Sequence, residues 1–380
     1  MREDWGVDEI QVAFLALAVV APTAILTLPR ILARVDGQDG WAAALLGLPA
    51  GLLPLAALGA LDRRSPGATF GEQAAAELGP LGGRLATAAA ALLFGLLAAI
   101  VTREVADAVQ AENLPRTPLP AVVALVLWAP VVAARQGLET MARWAQLLVG
   151  GGLCLLLLLL LGSARDLHPE YLLPLFGHGW RPLLAGAVSP ASFYVKSFVL
   201  AYVLPFRGGR RAAYGAALAG LGAGALLLAL TAAVTVALFG PLAASFPQPV
   251  FEAARLIALA EFLTHLDALA VAVWLALGLA KLGLVFLAFV LALADLFDLR
   301  QPRPATLPAA ALTGVLAVVE FRSNVEFQDW LFTVWPAVSA GLVLLPAAVL
   351  AGGLLRERRR SRKTAVTAGA PPDGRPERGK

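Results

Sequence analysis

Two lysines of this sequence, Lys196 and Lys281, lie inside long apolar segments, although the whole chain contains only four lysines. A charged side chain at bilayer depth costs at least about 2.5–3.5 kcal/mol on insertion scales, so each lysine should face a partner, water or a cavity, or be neutral. Lys281 lies mid-segment, where its amino group could replace a coupling sodium ion or carry a proton. A structural pair with a carboxylate on a neighbouring helix explains Lys281 equally well. Lys196 could instead extend towards the side of Arg207.

An earlier apolar segment carries three charged residues, Arg103, Glu104 and Asp107. Arg103 and Asp107 are four residues apart, a spacing that places both on one helical face and predicts an ion pair. We expect this pair near the outer end of the helix, in a solvated vestibule. Glu104 faces another direction and is the better candidate for lining a polar path.

Proline interrupts the first apolar segment, which reads VVAPTAILTLP over residues 19–29. Pro22 removes a backbone donor and its ring clashes with the preceding turn, while the hydroxyls of Thr23 and Thr27 can compensate the freed backbone groups. A simple kink is one interpretation of this pattern. The other is an unwound segment whose exposed amides and carbonyls face a bound molecule.

The sixth apolar segment has a similar interruption at Pro190, with three serines, a tyrosine and a lysine close by. If the sixth to tenth segments repeat the first to fifth with inverted topology, the two interrupted segments are partners. Their half-helix N-termini would then point at an anionic group such as a carboxylate. The candidate ligand-binding residues are therefore Thr23, Ala24, Ile25, Leu26, Ser192, Phe193 and Tyr194. The candidate residues for a polar path or for coupling are Glu104, Lys196 and Lys281.

Membrane-spanning helices must position these side chains. The chain is 59% hydrophobic and 15% charged, with a mean hydropathy of +0.76, whereas soluble proteins carry about 25% charge. A span needs roughly 20 apolar residues. The predicted spans are 10–33, 41–61, 82–111, 118–134, 141–163, 183–205, 212–240, 264–294, 306–320 and 330–355. The sequence thus predicts an all-α integral membrane domain of ten helices over 1–355, followed by a basic, disordered cytoplasmic tail over 356–380.

Loop charges predict the orientation. Arginines concentrate in the loops of one side, which favours placing both termini in the cytoplasm and requires an even number of spans. Residues 250–263 read as a short helix lying on one face. Residues 69–79 have an interfacial pattern, and their start matches a capping box from Thr69 to Glu72.

The sequence contains no motif for several classes of function. No G-x-x-x-x-G-K-[ST] loop is present, so no ATP-driven module is encoded. His168, His178 and His265 lack ligand spacing, and we expect neither a metal nor a cofactor. No Ser/His/Asp arrangement stands out, so we do not expect an enzyme. The net charge of +4 comes from loop and tail arginines, as membrane topology requires, and does not predict a nucleic-acid partner.

Motifs along most of the chain resemble one family, the B subunits of spore germinant receptors (GerAB/GerKB-like spore germination permeases). The residues that carry the resemblance are Thr23-Ala24-Ile25-Leu26-x-Leu28-Pro29, Gly37-Gln38-Asp39-Gly40-Trp41, Leu114-Pro115-x-Thr117-Pro118, Gly137-Leu138-Glu139 with Arg143, Leu172-Leu173-Pro174, and Phe262-Leu263-x-x-Leu266-Asp267-Ala268-Leu269 with Trp274 and Lys281. Two positions depart from the family pattern. Thr264-His265 stands where the family usually has Glu-Arg, and Pro22 where a glycine commonly precedes the threonine.

The resemblance implies a branch of the amino acid–polyamine–organocation superfamily. The implied fold is a LeuT-like 5+5 inverted repeat with broken helices 1 and 6. The implied role is that of a nutrient-sensing subunit in the spore inner membrane, which binds a small germinant, often an amino acid, and has A and C subunits as partners. Two alternatives stay open: a stand-alone proton-coupled amino acid transporter, and a water or ion conduit opened at germination.

Overall fold

Residues 6–177, 179–204, 210–246, 248–256 and 266–368 are described by the computed structural model, and every regular element in them is a helix. The α-helices are α1 (Glu9–Val35), α2 (Gly40–Leu46), α3 (Leu48–Arg64), α4 (Phe70–Leu78), α5 (Pro80–Glu112), α6 (Leu119–Gln136), α7 (Leu138–Gly162), α8 (Trp180–Gly186), α9 (Val188–Tyr194), α10 (Arg210–Phe239), α11 (Pro249–Leu256), α12 (Leu266–Leu296), α13 (Arg303–Val319), α14 (Asn324–Thr333), α15 (Trp335–Ser339) and α16 (Gly341–Ala368). Short 3₁₀ helices cover Gly37–Asp39, Ser163–Asp166, Pro169–Leu172, Val195–Tyr202 and Gly240–Ala244.

Nine helical stretches of these residues are long and apolar enough to cross a bilayer. They are Glu9–Val35, Gly37–Arg64, Pro80–Ala111, Leu119–Gln136, Leu138–Asp166, Trp180–Tyr202, Arg211–Ala244, Trp274–Leu296 and Trp335–Arg358. A tenth results if α13 and α14, which meet at a bend of 101°, are one span, and we number the spans with this pair as the ninth. The predicted all-α, multi-pass membrane architecture is confirmed. Residues 264–265, at the predicted start of the eighth span, lie outside the described residues.

The first span differs from its expected unwound form, because α1 is a continuous helix through both Pro22 and Pro29. Its central residues are almost all buried, since α10 packs along it while α7 and α12 cover other sides. Prolines are tolerated in such a helix because neighbouring helices and hydroxyl groups re-satisfy the freed backbone. The hydroxyl of Thr27, for example, donates to the carbonyl of Thr23 at 2.8 Å.

The sixth span is broken, as predicted. Helix α8 ends at Gly186, α9 follows after one residue, and Val195–Tyr202 continues as a 3₁₀ helix. A 3₁₀ stretch of this length within a span is unusual and often marks a functional hinge or strain. Phe193 lies near the end of α9 and Lys196 near the start of the 3₁₀ helix, and both side chains are buried. The face at which α1 begins is called the N-terminal face below, and the face at which α1 ends is called the opposite face.

Short helices cover both faces. Helix α4 begins with the predicted capping box, in which the Thr69 hydroxyl accepts from the Glu72 amide at 3.2 Å and the Glu72 carboxylate accepts from the Thr69 amide at 2.9 Å. Helix α11 forms the first part of the predicted 250–263 helix, and residues 257–263 lie outside the described part of the chain.

The last helix extends beyond the tenth span into the predicted tail. Helix α16 continues to Ala368, so residues 356–368 are helical and differ from the predicted disorder, while 369–380 lie outside the described residues. Its exit from the membrane is fixed by Arg64, whose guanidinium bonds Glu77 at 2.6 Å and Glu357 at 2.6 Å. Arg356 also donates to the Glu77 carbonyl at 3.0 Å. Helices α3, α4 and α16 are therefore joined at the N-terminal face.

Candidate ligand-binding site

Lys281 lies on α12 with its side chain completely buried, and its Nζ donates to the hydroxyl of Thr23 on α1. This contact joins the first and eighth spans. The same amino group is 5.6 Å from the centre of the Phe193 ring on α9. A carboxyl group on a neighbouring helix, that of Glu104 on α5, lies within electrostatic range of Lys281.

Lys196 is also buried and does not extend towards the membrane surface, which corrects one expectation; Arg207 lies outside the described residues. Its Nζ is 3.9 Å from the centre of the Phe193 ring and 5.0 Å from that of Trp335 on α15. Aromatic faces at these distances attract a cation through the ring quadrupole. The second lysine is therefore held in an aromatic surrounding, and it interacts with Lys281.

Glu104 completes a polar core formed by Thr23, Glu104, Phe193, Lys196, Lys281 and Trp335. Its carboxyl group is within electrostatic range of both lysines, and its Oε1 is buried without a hydrogen-bond partner among the described residues. Buried polar atoms in proteins are nearly always hydrogen-bonded, so an exception of this kind requires an explanation. An oxygen that is buried yet unpartnered can accept a hydrogen bond from a bound molecule.

The helices that supply the polar core are related by the inverted repeat. Thr23 comes from the first span and Phe193 from the sixth, and these two spans correspond to each other in a repeat of five plus five helices. Glu104 comes from the third span and Lys281 from the eighth, and these two spans also correspond to each other in the repeat. The acid and the base thus lie on matching helices, and α5 packs directly against α12.

The other predicted ligand-binding residues face elsewhere. The Tyr194 hydroxyl donates to the carbonyl of Ala44 at 3.0 Å. The Ser192 hydroxyl donates to the Ser189 carbonyl at 2.7 Å. Ala24, Ile25 and Leu26 are buried within the continuous helix α1, whose helical backbone satisfies the amides that were expected to be exposed. Of the seven predicted ligand-binding residues, Thr23 and Phe193 are the ones that the structure brings into the polar core.

Trp335 is the member of the polar core that the sequence did not indicate. Its indole Nε1 donates to the Ser192 carbonyl at 3.3 Å, which holds the ring beside the break of the sixth span. Its only sequence signal is a tryptophan–proline pair at the start of the last apolar segment, and this pattern is equally typical of the membrane interface. Long-range packing, rather than a local motif, places it.

Arg103 and Asp107 form the predicted pair at 2.8 Å, but the pair is buried rather than solvated. Arg103 also donates to the carbonyls of Ala317 at 3.2 Å and Phe321 at 2.9 Å, and Asn324 donates to Asp107 at 3.1 Å. These carbonyls belong to the end of α13 and the bend beyond it. The Arg103–Asp107 pair is removed from solvent because the arginine caps the C-terminus of a second helix.

Carboxyl groups make hydrogen bonds between separate parts of the chain on both faces of the protein. On the N-terminal face Asp295 accepts hydrogen bonds from the Tyr202 hydroxyl at 3.1 Å, the Thr69 hydroxyl at 3.0 Å and the Gly71 amide at 2.9 Å. On the opposite face Asp39 accepts from the amide of Phe176 at 2.9 Å. Hydrogen bonds thus join separate segments of the chain on each side of the polar core.

Metal ligands are not clustered in the part of the chain that the structure covers. No group of three or more His, Cys, Asp or Glu side chains there is arranged to hold an ion. Of the histidines, His178 and His265 lie outside the described residues, as do the departures at Thr264 and His265. His168 is exposed and bonds Glu170 at 2.9 Å, where the backbone and His168 hold the pKa of the Glu170 carboxyl below its ordinary value.

Comparison with known proteins gives a family match. The family model described as "Spore germination protein" matches residues 6–325. Spore germination protein KB of Bacillus subtilis (strain 168) is 25% identical over 290 residues, which are 74% of this chain and 77% of that protein.

Comparison with solved structures gives the fold. Mhp1, a nucleobase-cation-symport-1 family transporter solved in a closed conformation with bromovinylhydantoin bound, superposes with a TM-score of 0.66 at 15% identity, covering 95% of this chain and 81% of Mhp1. MhsT in complex with L-phenylalanine gives a TM-score of 0.66 at 16% identity, covering 92% of this chain and 89% of MhsT. At these identities the likeness is one of fold alone, and it confirms the predicted LeuT-like architecture.

Proposed function

The chain belongs to the spore germination protein family, and from this premise we propose that it is the B subunit of a germinant receptor. In this proposal the subunit binds a small molecule with both an acidic and a basic group, such as an amino acid, in the polar core. Binding changes the balance between occluded and open conformations, and this change starts germination. The motifs that resemble the family's B subunits and the match over residues 6–325 support the assignment.

One observation carries the ligand-binding part of the proposal. The polar core buries an acidic group with an unpartnered oxygen, that of Glu104, near the amino group of Lys196, which lies against the rings of Phe193 and Trp335 and shares a hydrogen bond with Lys281. A carboxylate of the ligand would bond the amino group of Lys196, and an ammonium of the ligand would bond Oε1 of Glu104. Charge-assisted hydrogen bonds of this kind are about twice as strong as neutral ones.

Lys281 has a different role in this proposal. Its amino group is already bonded to Thr23, so it fixes the first span to the eighth and balances the charge of Glu104. It therefore sets the polarity of the site without being the group that the ligand's carboxylate meets first.

Assembly and location extend the proposal. We place the subunit in the spore inner membrane with both termini in the cytoplasm, together with receptor A and C subunits. The family membership and the multi-pass architecture support this placement, and the excess of arginine in the loops of one side supports the orientation.

The test is ligand-induced stabilisation of the purified protein. A panel of amino acids, with the matching amines and carboxylic acids, is screened by thermal unfolding in detergent. A zwitterion at 100 times its dissociation constant should stabilise the protein by roughly 2.7 kcal/mol, while the amine and the acid alone stabilise it less. Lys196→Met should abolish the shift. Tyr194→Phe is the matched control and should leave it, because the Tyr194 hydroxyl bonds Ala44 outside the polar core.

A flux assay separates this function from its two alternatives. Uptake of labelled amino acid by the chain alone in liposomes would identify a transporter. Unsaturable water or ion flux without ligand stabilisation would identify a conduit. The receptor proposal expects ligand stabilisation without uptake by the isolated chain.

A further inference from the structure

Asp36, at the end of α1 on the opposite face, is a buried carboxyl group to which the binding function gives no role. Its side chain is 3% exposed, and neither of its carboxyl oxygens has a hydrogen-bond partner among the described residues. Its neighbour Asp39 is also buried but is partnered, because it accepts from the Phe176 amide at 2.9 Å. A buried carboxylate without a partner is unfavourable, so this position requires an explanation.

The Asp36 carboxyl packs directly on the break of the sixth span. It lies against Gly186, the last residue of α8, and any side chain at that position would collide with the carboxyl group. The absence of a Cβ at Gly186 therefore permits the contact. Asp36 lies immediately after the last residue of α1, so the carboxyl bridges the end of the first span and the break of the sixth.

The surroundings disfavour the ionised form of this carboxyl. Desolvation by burial, with the charge of Asp39 as a smaller cause, raises the pKa of Asp36 from 3.8 to about 7. The carboxyl end of α1 adds the negative end of a helix dipole. The elements packed here offer no compensating cation. Helix α2 and the 3₁₀ helix Gly240–Ala244 carry no charged residue, and the 3₁₀ helix Pro169–Leu172 carries an acid, Glu170. Arg34 of α1 and Arg181 of α8 are exposed, and neither bonds Asp36 among the described residues.

We propose that Asp36 is a proton-operated latch between the first and sixth spans. With its proton bound, the neutral carboxyl holds the end of α1 against Gly186 and keeps the opposite face closed. When the proton leaves, the charged carboxylate favours water, and the face opens. The latch acts without any ligand in the polar core, so it does not depend on the proposed receptor function.

The sign of the pH dependence follows from linkage. In the closed form the pKa of Asp36 is about 7, and in a solvated open form it returns to near 3.8. Closure is therefore unaffected by ionisation below pH 4 and is weakened as the pH rises towards 7. The ratio of open to closed molecules should rise by up to tenfold per pH unit in this window, about 10³-fold in all, and level off above it.

A proton fits this position better than a metal ion. The carboxyl oxygens lie directly on the Gly186 backbone, and the described residues near them supply one further carboxylate, that of Asp39. Hard cations such as Ca²⁺ take six to eight oxygen ligands. Two carboxylates pressed against a helix backbone do not provide such a set.

The experiment measures the opening by electron–electron double resonance in the full chain, with Cys154→Ser removing the single native cysteine. Spin labels at Val35→Cys and Leu184→Cys, both exposed positions, report the separation of α1 from α8. We expect a second, longer distance whose population rises between about pH 4 and 7. In Asp36→Asn the short distance should persist at every pH. Asp39→Asn should shift the midpoint to lower pH, because removing its charge lowers the pKa of Asp36.

Three results would overturn the latch. The first is a distance distribution in the unsubstituted background that does not change between pH 4 and 8. The second is a pH response that persists in Asp36→Asn, since another group would then titrate. The third is closure by Na⁺, K⁺ or Ca²⁺ at fixed pH in place of protons, which would identify a cation site. Circular dichroism and gel filtration of Asp36→Asn establish that the variant is folded.

Discussion

Lys281 has three polar neighbours at the centre of the protein, Thr23, Glu104 and Lys196. The contribution of a buried acid–base pair to stability is seen by comparing the loss of one partner with the loss of both. Removing one partner leaves the other desolvated with less compensation, whereas removing both takes the two charges away together.

Lys281→Met should therefore destabilise the protein by about 3–5 kcal/mol, and Glu104→Gln should destabilise it by a similar amount. The double variant should lose clearly less than the two losses added together, because neither group is then left alone. Thermal and denaturant unfolding of the purified proteins give these values. Leu284→Met, a volume-conserving change at another buried position of α12, is the matched control and should cost less than about 1.5 kcal/mol. Strictly additive losses would show that the two groups do not interact.

At the scale of elements, α4 is attached to the membrane domain through the end of the eighth span. Asp295 on α12 accepts from the amide of Gly71 in the first turn of α4, and the approach is close because Gly71 has no side chain. A Cβ at this position would lie 2.6 Å from the Thr87 hydroxyl and 2.8 Å from Cγ of Asp295. Such distances require the helix to move.

Gly71→Ala should thus displace the start of α4, break the bond to Asp295 and destabilise the protein by about 1–3 kcal/mol. Gly215→Ala on α10 is the matched control, because no atom lies within 4 Å of the added Cβ, and alanine should stabilise that helix by up to about 1 kcal/mol. Unfolding temperatures of the two variants measure the contrast. Equal behaviour of both variants would mean that α4 is not fixed by Asp295.

At the scale of the whole molecule, the bend between α13 and α14 decides the topology. Nine spans put the termini on opposite sides of the membrane, and ten put them on the same side. The inverted repeat requires five spans in each half, so the bent pair must count as one crossing.

We accordingly expect both termini on one side, the cytoplasmic side, because the arginine-rich loops share it. Fusions of green fluorescent protein should fluoresce at either end, and fusions of alkaline phosphatase should be inactive at either end. An active phosphatase at only one terminus would contradict the even number of spans.

The sequence predicts the helices and the charged part of the site because both follow from the cost of placing polar groups in hydrocarbon. Lys196, Lys281 and Glu104 are conspicuous for that reason alone, and the structure brings them together. Contacts between distant segments leave no local pattern. The bond from Tyr194 to Ala44 and the position of Trp335 over Lys196 therefore could not be predicted. The unwound backbone that was one interpretation of Pro22 is not found for the same reason, since the helices packed around α1 maintain its helical backbone.

The burial of α1 on almost every side has a consequence for biosynthesis. This helix is made well before its most extensive neighbour, α10, which begins at residue 210. Until α10 has been synthesised and inserted, much of the α1 surface must face lipid or the insertion machinery. The helix thus enters the bilayer well before it reaches its final surroundings, and during that interval the nascent chain is open to membrane proteases and chaperones.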